Sequence, residues 1–383
     1  MIMDKKWIDE SVERFRELLV QQAERAEGLA AVKSQSKKNA DRVVIGICDG
    51  DGIGSIIMRE ARRVLGYLMK AELESGAVML KEIRGLTIEN RLYHGKTVPD
   101  ESLEDLMECD VLLKGPFTTP SGGTLKSANV ALRGIFDLYA NIRPVKVKEK
   151  GIDWTFFREN TEGEYILGGE GISGEGLAVD FRVITDEGTR RIARAAFEYA
   201  KSNGKKSVTV VTKSNIVKKT DGKFLDICYR VAADYPDIRV DEYYVDIMSA
   251  NLINPEINAG FEVMVMPNLY GDILSDEGAQ VQGSVGTAGS ANLGDGFAIF
   301  EAIHGSAPRM IRDGIAEYAN PTSILNAVEM MLRHIGYTAA ADRLVRALEI
   351  CTDKDAPVFV TGKADGATCA QFGDYVMKTL ESV

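Results

Sequence analysis

Asp272 and Asp276, in the stretch VMPNLYGDILSDEGAQ, stand four residues apart just after an apolar run and a glycine. On a helix that spacing puts both carboxylates on one face, with Cβ atoms roughly 5–6 Å apart. Two acids so close repel, so either one keeps its proton or a cation sits between them. The alternative is a solvated first helical turn, where acids favour the positive end of the macrodipole. Asp246, in YYVDIMSANL, is a further acid among apolar neighbours.

Other stretches supply the opposite charge. In TTPSGGTLKSANVALRGIFDLYANIRP, Ser127 suits an N-cap, and Ser127 and Asn129 are compact hydrogen-bonders near a helix start, where anions are favoured. Arg133 follows one to two turns on, where it either meets an anion or pairs with Asp137 at i+4; Arg143 comes after LYANI. Arg158 stands beside two phenylalanines in FFRENTEGEY, which also contains Tyr165. Lys213 and Asn215 come immediately after the apolar run SVTVVT, and the carboxyl ends of parallel strands are where ligands bind. His304 precedes a Gly-Ser-Ala-Pro turn whose small residues would let a cofactor approach the backbone, whereas His94 and His334 have nothing around them that bears chemistry. GDGIG, residues 50–54, stands where a nucleotide loop would, but it is not G-x-G-x-x-G, and Asp51 would repel a pyrophosphate. A tight strand-to-helix turn explains the glycines equally well.

These residues need a scaffold, and the apolar runs RVVIGIC, VLLKG, SVTVVT and FEVMVM provide strands that lack strict alternation. Such strands suit a sheet covered on both faces. Helical segments lie between them, one from about residue 55 and others over 186–202 and 220–235, so the class is α/β with a largely parallel sheet. GGEGISGEGLAVDFRVIT is glycine-rich and then β-prone, as a projecting β arm would be. Residues 4–28 carry Ile8, Val12, Phe15, Leu18 and Leu19 at helical spacing, a helix docked on the main fold or on a partner subunit; KSQSKKNADR, 33–42, reads as a linker.

The chain has 383 residues, 45% hydrophobic and 27% charged, which suits two globular domains. A net charge of −11 argues against nucleic acid or an anionic membrane as partner, though a local arginine cluster can still hold a small anion. Cys48, Cys109, Cys228, Cys351 and Cys369 lack zinc-like spacing and read as reduced, mostly buried thiols of a cytoplasmic protein. No apolar run approaches the ~20 residues that span a bilayer, and the acidic, amphipathic start resembles neither a signal nor a transit peptide.

Taken in order from about residue 42, GDGIG, SANVALR, LYANIRPV, RENTEGEY, KSNIVKKTDG, PNLYGDILSD, HGSAP and ANPTSIL closely resemble the decarboxylating 3-hydroxy-acid dehydrogenases that include isocitrate and isopropylmalate dehydrogenase. The resemblance implies their fold: a largely parallel sheet flanked by helices, two domains and a β arm, not a standard Rossmann fold. The expected boundaries are a helical extension over 1–40, a large cofactor domain over 41–138 and 283–383, and a small substrate, metal and dimer domain over 139–282, its arm near 163–185.

It also implies roles. Asp246, Asp272 and Asp276 hold Mg²⁺ or Mn²⁺; Arg133, Arg143 and Arg158 clamp carboxylates; Lys213, its pKa lowered by cationic neighbours, relays the hydroxyl proton; and Tyr165 protonates the product carbon. The S-x-N of Ser127 and Asn129 is the isocitrate pattern, so isocitrate is expected ahead of isopropylmalate, homoisocitrate or a tartrate-like acid. Ile53, Thr118, Thr119, Asn215, His304, Gly305, Ser306, Ala307, Arg309, Met310 and Asn320 correspond to dinucleotide-binding positions. NAD-using relatives carry an acid where this chain has Arg309, which can pair with a 2′-phosphate; NADP is therefore expected ahead of NAD. Lys213 and Asp246 of such enzymes reach into the partner's site, implying at least a homodimer. A non-catalytic regulatory subunit is the alternative from a different class, against which the full set of acids, arginines, lysine and tyrosine argues.

Overall fold

The run VVIGIC folds as β1 (Val43–Cys48), with Ile45 and Ile47 in one apolar core and Val44 and Cys48 in another. Burial on both faces is what a parallel sheet sandwiched between helices requires. A computed structural model describes residues 5–31, 42–120 and 125–383, so the expected linker over 33–42 lies outside the described residues except for Arg42.

In chain order the further elements begin with α1 (Lys5–Ala31), α2 (Gly54–Leu68), α3 (Lys70–Ser75), β2 (Val78–Glu82), α4 (Ile88–His94), α5 (Asp100–Met107), β3 (Val111–Lys114), α6 (Ala128–Ile135) and β4 (Ala140–Val147). Then come β5 (Ile152–Glu159), β6 (Ile172–Gly174), β7 (Leu177–Val179), α7 (Asp186–Ser202), β8 (Ser207–Thr212), α8 (Thr220–Ala232), β9 (Arg239–Tyr244) and α9 (Val245–Leu252). The last are β10 (Val263–Met266), α10 (Asn268–Gln282), β11 (Gly289–Leu293), β12 (Ala298–Ala302), α11 (Pro308–Arg312), α12 (Thr322–His334), α13 (Thr338–Cys351) and α14 (Cys369–Leu380).

The described residues form two compact units: a first of residues 5–31, 139–141 and 148–277, and a second of 42–120, 125–138, 142–147 and 278–383. In the second the strand order is β2-β1-β3-β12-β11-β4. β2, β1, β3 and β12 are parallel, and β11 runs antiparallel to β12. Helices α2, α12, α13 and α14 cover one face, while Leu106 of α5 and Leu132 of α6 pack on the other.

In the first unit β5-β10-β8-β9 are all parallel. Helix α7 lies against β5, β10 and β8. Strands β6 and β7 pair as an antiparallel hairpin, the expected arm, turning through Gly176 at φ +85°. The amphipathic α1 buries Leu18 but leaves Ile8, Val12, Phe15 and Leu19 between 44% and 60% exposed. All five cysteines are buried and unpaired. Among the described residues no helix is long and apolar enough to cross a membrane.

Candidate active site

Three loops of the second unit meet backbone against backbone. In GDGIG, Gly50 has φ +74° and a Cβ there would stand 2.4 Å from the Pro116 carbonyl oxygen; at Gly52, with φ +60°, it would stand 2.0 Å from that of Ser306. No L side chain fits either place, so these glycines let the turn nest between its neighbours. Hydrogen bonds close the contact: Asp51 N donates to Pro116 O at 2.7 Å and Ile53 N to Ser306 O at 3.1 Å.

Asp51 itself is buried and occupied. Its carboxylate accepts from Ile88 N at 2.8 Å and Thr118 N at 2.7 Å, and pairs with the fully buried Arg91 at 3.3 Å. Arg91 also donates to Leu86 O and Thr118 O. The aspartate is therefore an internal brace, and its charge does not face the loop's outer side.

Ile53, Thr118 and Ser306 of the expected dinucleotide residues meet at this junction. Ile53 is buried, Thr118 shares a 2.7 Å hydroxyl–hydroxyl bond with Ser306, and Thr119 is exposed. His304 Nδ1–H donates to Gly305 O at 2.9 Å, and burial holds the ring below its ordinary pKa, hence neutral near pH 7. A Cβ at Gly305 would meet nothing within 4 Å, so no part of the chain demands glycine there. Open space beside small residues fits the close approach of a dinucleotide. Ala307 turns the chain in the left-handed region, φ +48° and ψ +56°, a conformation costing about 1–2 kcal/mol for a residue with a Cβ. α11 then presents Arg309 outward and Met310 toward the core, while Asn320 Oδ1 caps α12 by accepting from Thr322 N at 2.9 Å.

Ser127 is the N-cap of α6, its hydroxyl accepting from Val130 N. Asn129 has a buried amide oxygen with no hydrogen-bond partner among the described residues, leaving an acceptor there for a donor group. Arg133 does not pair with Asp137. The helix ends at Ile135, Asp137 takes φ +45°, and the i+4 geometry is lost. Instead Arg133 lies 3.4 Å from Glu301, which also binds Lys114 and accepts from Asn292 at 2.7 Å. The parallel register of β3 and β12 puts Lys114 and Glu301 side by side. Burial alone would raise the Glu301 carboxyl, but the charges of Lys114 and Arg133 bring it down to about 2. Arg143 is buried on β4.

A second cluster belongs to the first unit. Gly271 is glycine because a Cβ there would stand 2.5 Å from Arg158, whose side chain crosses beneath the first turn of α10. Arg158 is buried, donates to Asn268 Oδ1 at 2.9 and 2.7 Å, pairs with Asp272 and lies over the Tyr165 ring at 5.1 Å. The Tyr165 hydroxyl donates to the other oxygen of Asp272 at 2.7 Å. α10 starts at Asn268, so neither aspartate is in its first turn and the macrodipole does not account for them. What holds Asp272 is an arginine and a phenol.

Lys213, just beyond β8, pairs with Asp246 at the start of α9 and has the Tyr244 ring 5.7 Å away. The expectation of cationic neighbours is corrected: the lysine's contact is a carboxylate. Lys213 in turn holds the exposed Asp246 carboxyl below its usual range. Asn215 is exposed. Among the described residues, no three His, Cys, Asp or Glu side chains come close enough to hold a metal ion. One chain therefore does not bring Asp246 together with Asp272 and Asp276 into a complete ligand set, although carboxylates on one face of α10 suit a hard divalent cation.

Sequence reasoning missed Asn268, Arg91, Lys114, Glu301 and Asn292. A lone acid inside the apolar strand AIFEA and a lysine ending VLLK were usable signals, since buried charges need partners. His94 and His334 are not isolated either, lying 5.1 Å from the Tyr93 ring and 5.5 Å from the Phe300 ring.

Residues 44–376 match the family model described as isocitrate/isopropylmalate dehydrogenase. The chain is 42% identical over 310 residues to an NADP isocitrate dehydrogenase of Rickettsia bellii, covering 78% of this chain, so it spans 60% of that relative's length. It is 37% identical over 343 residues to a probable mitochondrial NAD isocitrate dehydrogenase subunit alpha of Drosophila melanogaster, covering 86% of each. The crystal structure of isocitrate dehydrogenase from Methylococcus capsulatus superposes with a TM-score of 0.79 at 35% identity, covering 88% of this chain and 99% of that one.

Proposed function

Because the chain belongs to the isocitrate/isopropylmalate dehydrogenase family, we propose that it oxidises and decarboxylates isocitrate to 2-oxoglutarate, preferring NADP, as a homodimer. The observation that carries this reading is the Arg158–Asp272–Tyr165 cluster: a carboxylate-binding cation and a proton donor, each in contact with one carboxylate of the metal-ligand type.

On this reading Asp272 and Asp276, joined by Asp246 of a second copy, hold Mg²⁺ or Mn²⁺, which when bound supplies Lewis acidity toward the substrate's hydroxyl and adjacent carboxylate. Arg133, Arg143 and Arg158 bind and orient the carboxylates through charge-assisted bonds. Ser127 through its hydroxyl and Asn129 through its amide NH₂ would donate to the carboxylate that an alkyl substrate lacks, the reason for reading isocitrate ahead of isopropylmalate. Lys213 of that second copy, held by its ion pair with the same copy's Asp246, is assigned the relay of the hydroxyl proton away from the substrate. Tyr165 gives its proton to the carbon that has lost CO₂, and Asp272 aligns the phenol for that transfer.

The dinucleotide, which supplies the hydride acceptor, is assigned to Ile53, Thr118, Thr119, Asn215, His304–Met310 and Asn320. Arg309, exposed on α11, would pair with a 2′-phosphate. The domain reading follows, with cofactor held by 41–138 and 283–383 and metal and substrate chiefly by 139–282. A second copy is supported by Ile247 of α9, Ile253 just after it and Ile273 of α10, between 50% and 65% exposed.

The test is appearance of reduced nicotinamide with isocitrate and Mn²⁺, run in parallel with NAD and NADP. Reduction with isopropylmalate but not isocitrate would overturn the substrate assignment, and none with any such acid would overturn the activity.

A further inference from the structure

The family match begins at residue 44, so α1 lies outside it, yet α1 is tied to the first unit at several points. Phe15 stacks on Phe181 at 5.2 Å, Arg14 pairs with Glu170, and the Trp7 indole lies against Gly174 of the hairpin. One further tie reaches an interior charge. Arg25 Nη1 stands 3.2 Å from Oε1 of Glu162, whose side chain is fully buried while that of Arg25 is 22% exposed.

Glu162 is enclosed by the start of α7. It accepts from Thr185 N at 2.8 Å and from the Thr185 hydroxyl, and a Cβ at Gly188 would stand 2.5 Å from its carboxyl carbon. Three residues earlier Glu159 is also buried, its carboxylate accepting from Thr161 and from Glu162 N. Two interior acids on one turn need a cation, because an uncompensated buried charge is strongly destabilising. Burial, and then the charge of Glu162, raises the Glu159 carboxyl to about 7.

The turn held by Arg25 leads directly to the cluster. Glu162 O accepts from Asn268 Nδ2 at 3.0 Å, Asn268 Oδ1 accepts both bonds from Arg158, and Arg158 pairs with Asp272, which receives the Tyr165 hydroxyl. We infer that Arg25 of α1 is a positioning residue for this chain's active site: by compensating Glu162 it fixes the 159–165 turn, and through Asn268 sets the aim of Arg158 and Tyr165. The inference rests on the function proposed above and extends it to a helix outside the family match.

The experiment uses the full chain and its Arg25→Ala, Arg25→Lys and Arg14→Ala variants, assayed with Mn²⁺ and both dinucleotides. Wild-type turnover of isocitrate tests the function. The ratio of variant to wild type, on whichever 2-hydroxy acid is oxidised, tests this inference. Arg25→Ala is expected to raise the KM for that acid about tenfold, with the dinucleotide KM within about twofold. Arg25→Lys recovers most of the loss, and Arg14→Ala, which loosens α1 without touching Glu162, matches wild type. Equal kinetics for Arg25→Ala and wild type, parallel rises in both KM values, or the same defect in Arg14→Ala would each overturn the inference. If Arg25→Ala does not fold, Arg25→Lys decides: a point charge replacing a fork should raise the acid's KM about two- to threefold, and unchanged kinetics would refute the role.

Discussion

The junction of GDGIG with the Pro116 and Ser306 loops and the cluster around Asp272 solve the same problem in opposite ways. At the first, main chain meets main chain so closely that a Cβ at Gly52 or Gly115 would stand 2.0 Å from a carbonyl oxygen, and the lone buried acid, Asp51, is consumed internally. At the second, side-chain charges set the geometry: Arg158, Asp272, Asn268 and Tyr165 orient one another. A surface of packed backbone offers close approach and few side-chain charges. A charge network recognises by electrostatics and can be retuned from a distance, here from Arg25.

The comparison breaks most visibly at Asp272. Asp272→Asn should lower kcat by about 10³-fold or more while leaving the chain folded, because Asp272 is part-exposed, Arg158 keeps both bonds to Asn268 and the amide oxygen still accepts, whereas the charge is lost. Steady-state kinetics beside a melting curve would show whether the network is functional rather than structural. Asp51→Ala should do the reverse. It strands the buried Arg91 and two backbone N–H groups, a loss of about 3–5 kcal/mol by denaturant unfolding.

The buried Glu301 gives a pH signature. Its carboxyl lies at about 2 in the fold against an ordinary 4.5, so its stabilisation, on the order of 3 kcal/mol, is present above pH ~4.5 and lost as pH falls toward 2. Glu301→Gln should flatten that acid limb when unfolding is followed across pH.

Smaller effects sharpen the contrast. Gly305→Ala, at a position where nothing in the chain lies within 4 Å, should leave the fold intact but raise the dinucleotide KM about tenfold. A fold defect without a binding defect would mean that the open space serves the chain. Arg309→Asp should shift the ratio of kcat/KM for NADP over NAD about tenfold toward NAD, by exchanging a phosphate partner for a ribose acceptor.

Much of the framework is legible in the residues alone. SVTVVT is β8 over Ser207–Thr212 and 186–202 is α7, because unbroken β-branched runs and amphipathic periods leave little choice. Ser127 as an N-cap is equally local, requiring only its hydroxyl and an N–H three residues on. Arg133 was not legible. Its i+4 acid is adjacent in sequence, but the left-handed turn at Asp137 breaks the helix and the real partner lies 168 residues away. Nor was Asp51, whose charge looked turned toward a ligand until Ile88, Arg91 and Thr118 closed around it.

Amino-acid order alone therefore settled the alternation of strands and helices, the glycines of tight turns and which stretches carry charged and hydrogen-bonding side chains, since these depend on short-range sterics and chemistry. Which charge meets which was decided only in three dimensions. Pairings such as Arg133 with Glu301, Asp51 with Arg91 and Arg25 with Glu162 join residues far apart in the chain, and an ion pair is selected by burial and distance, neither of which local sequence specifies.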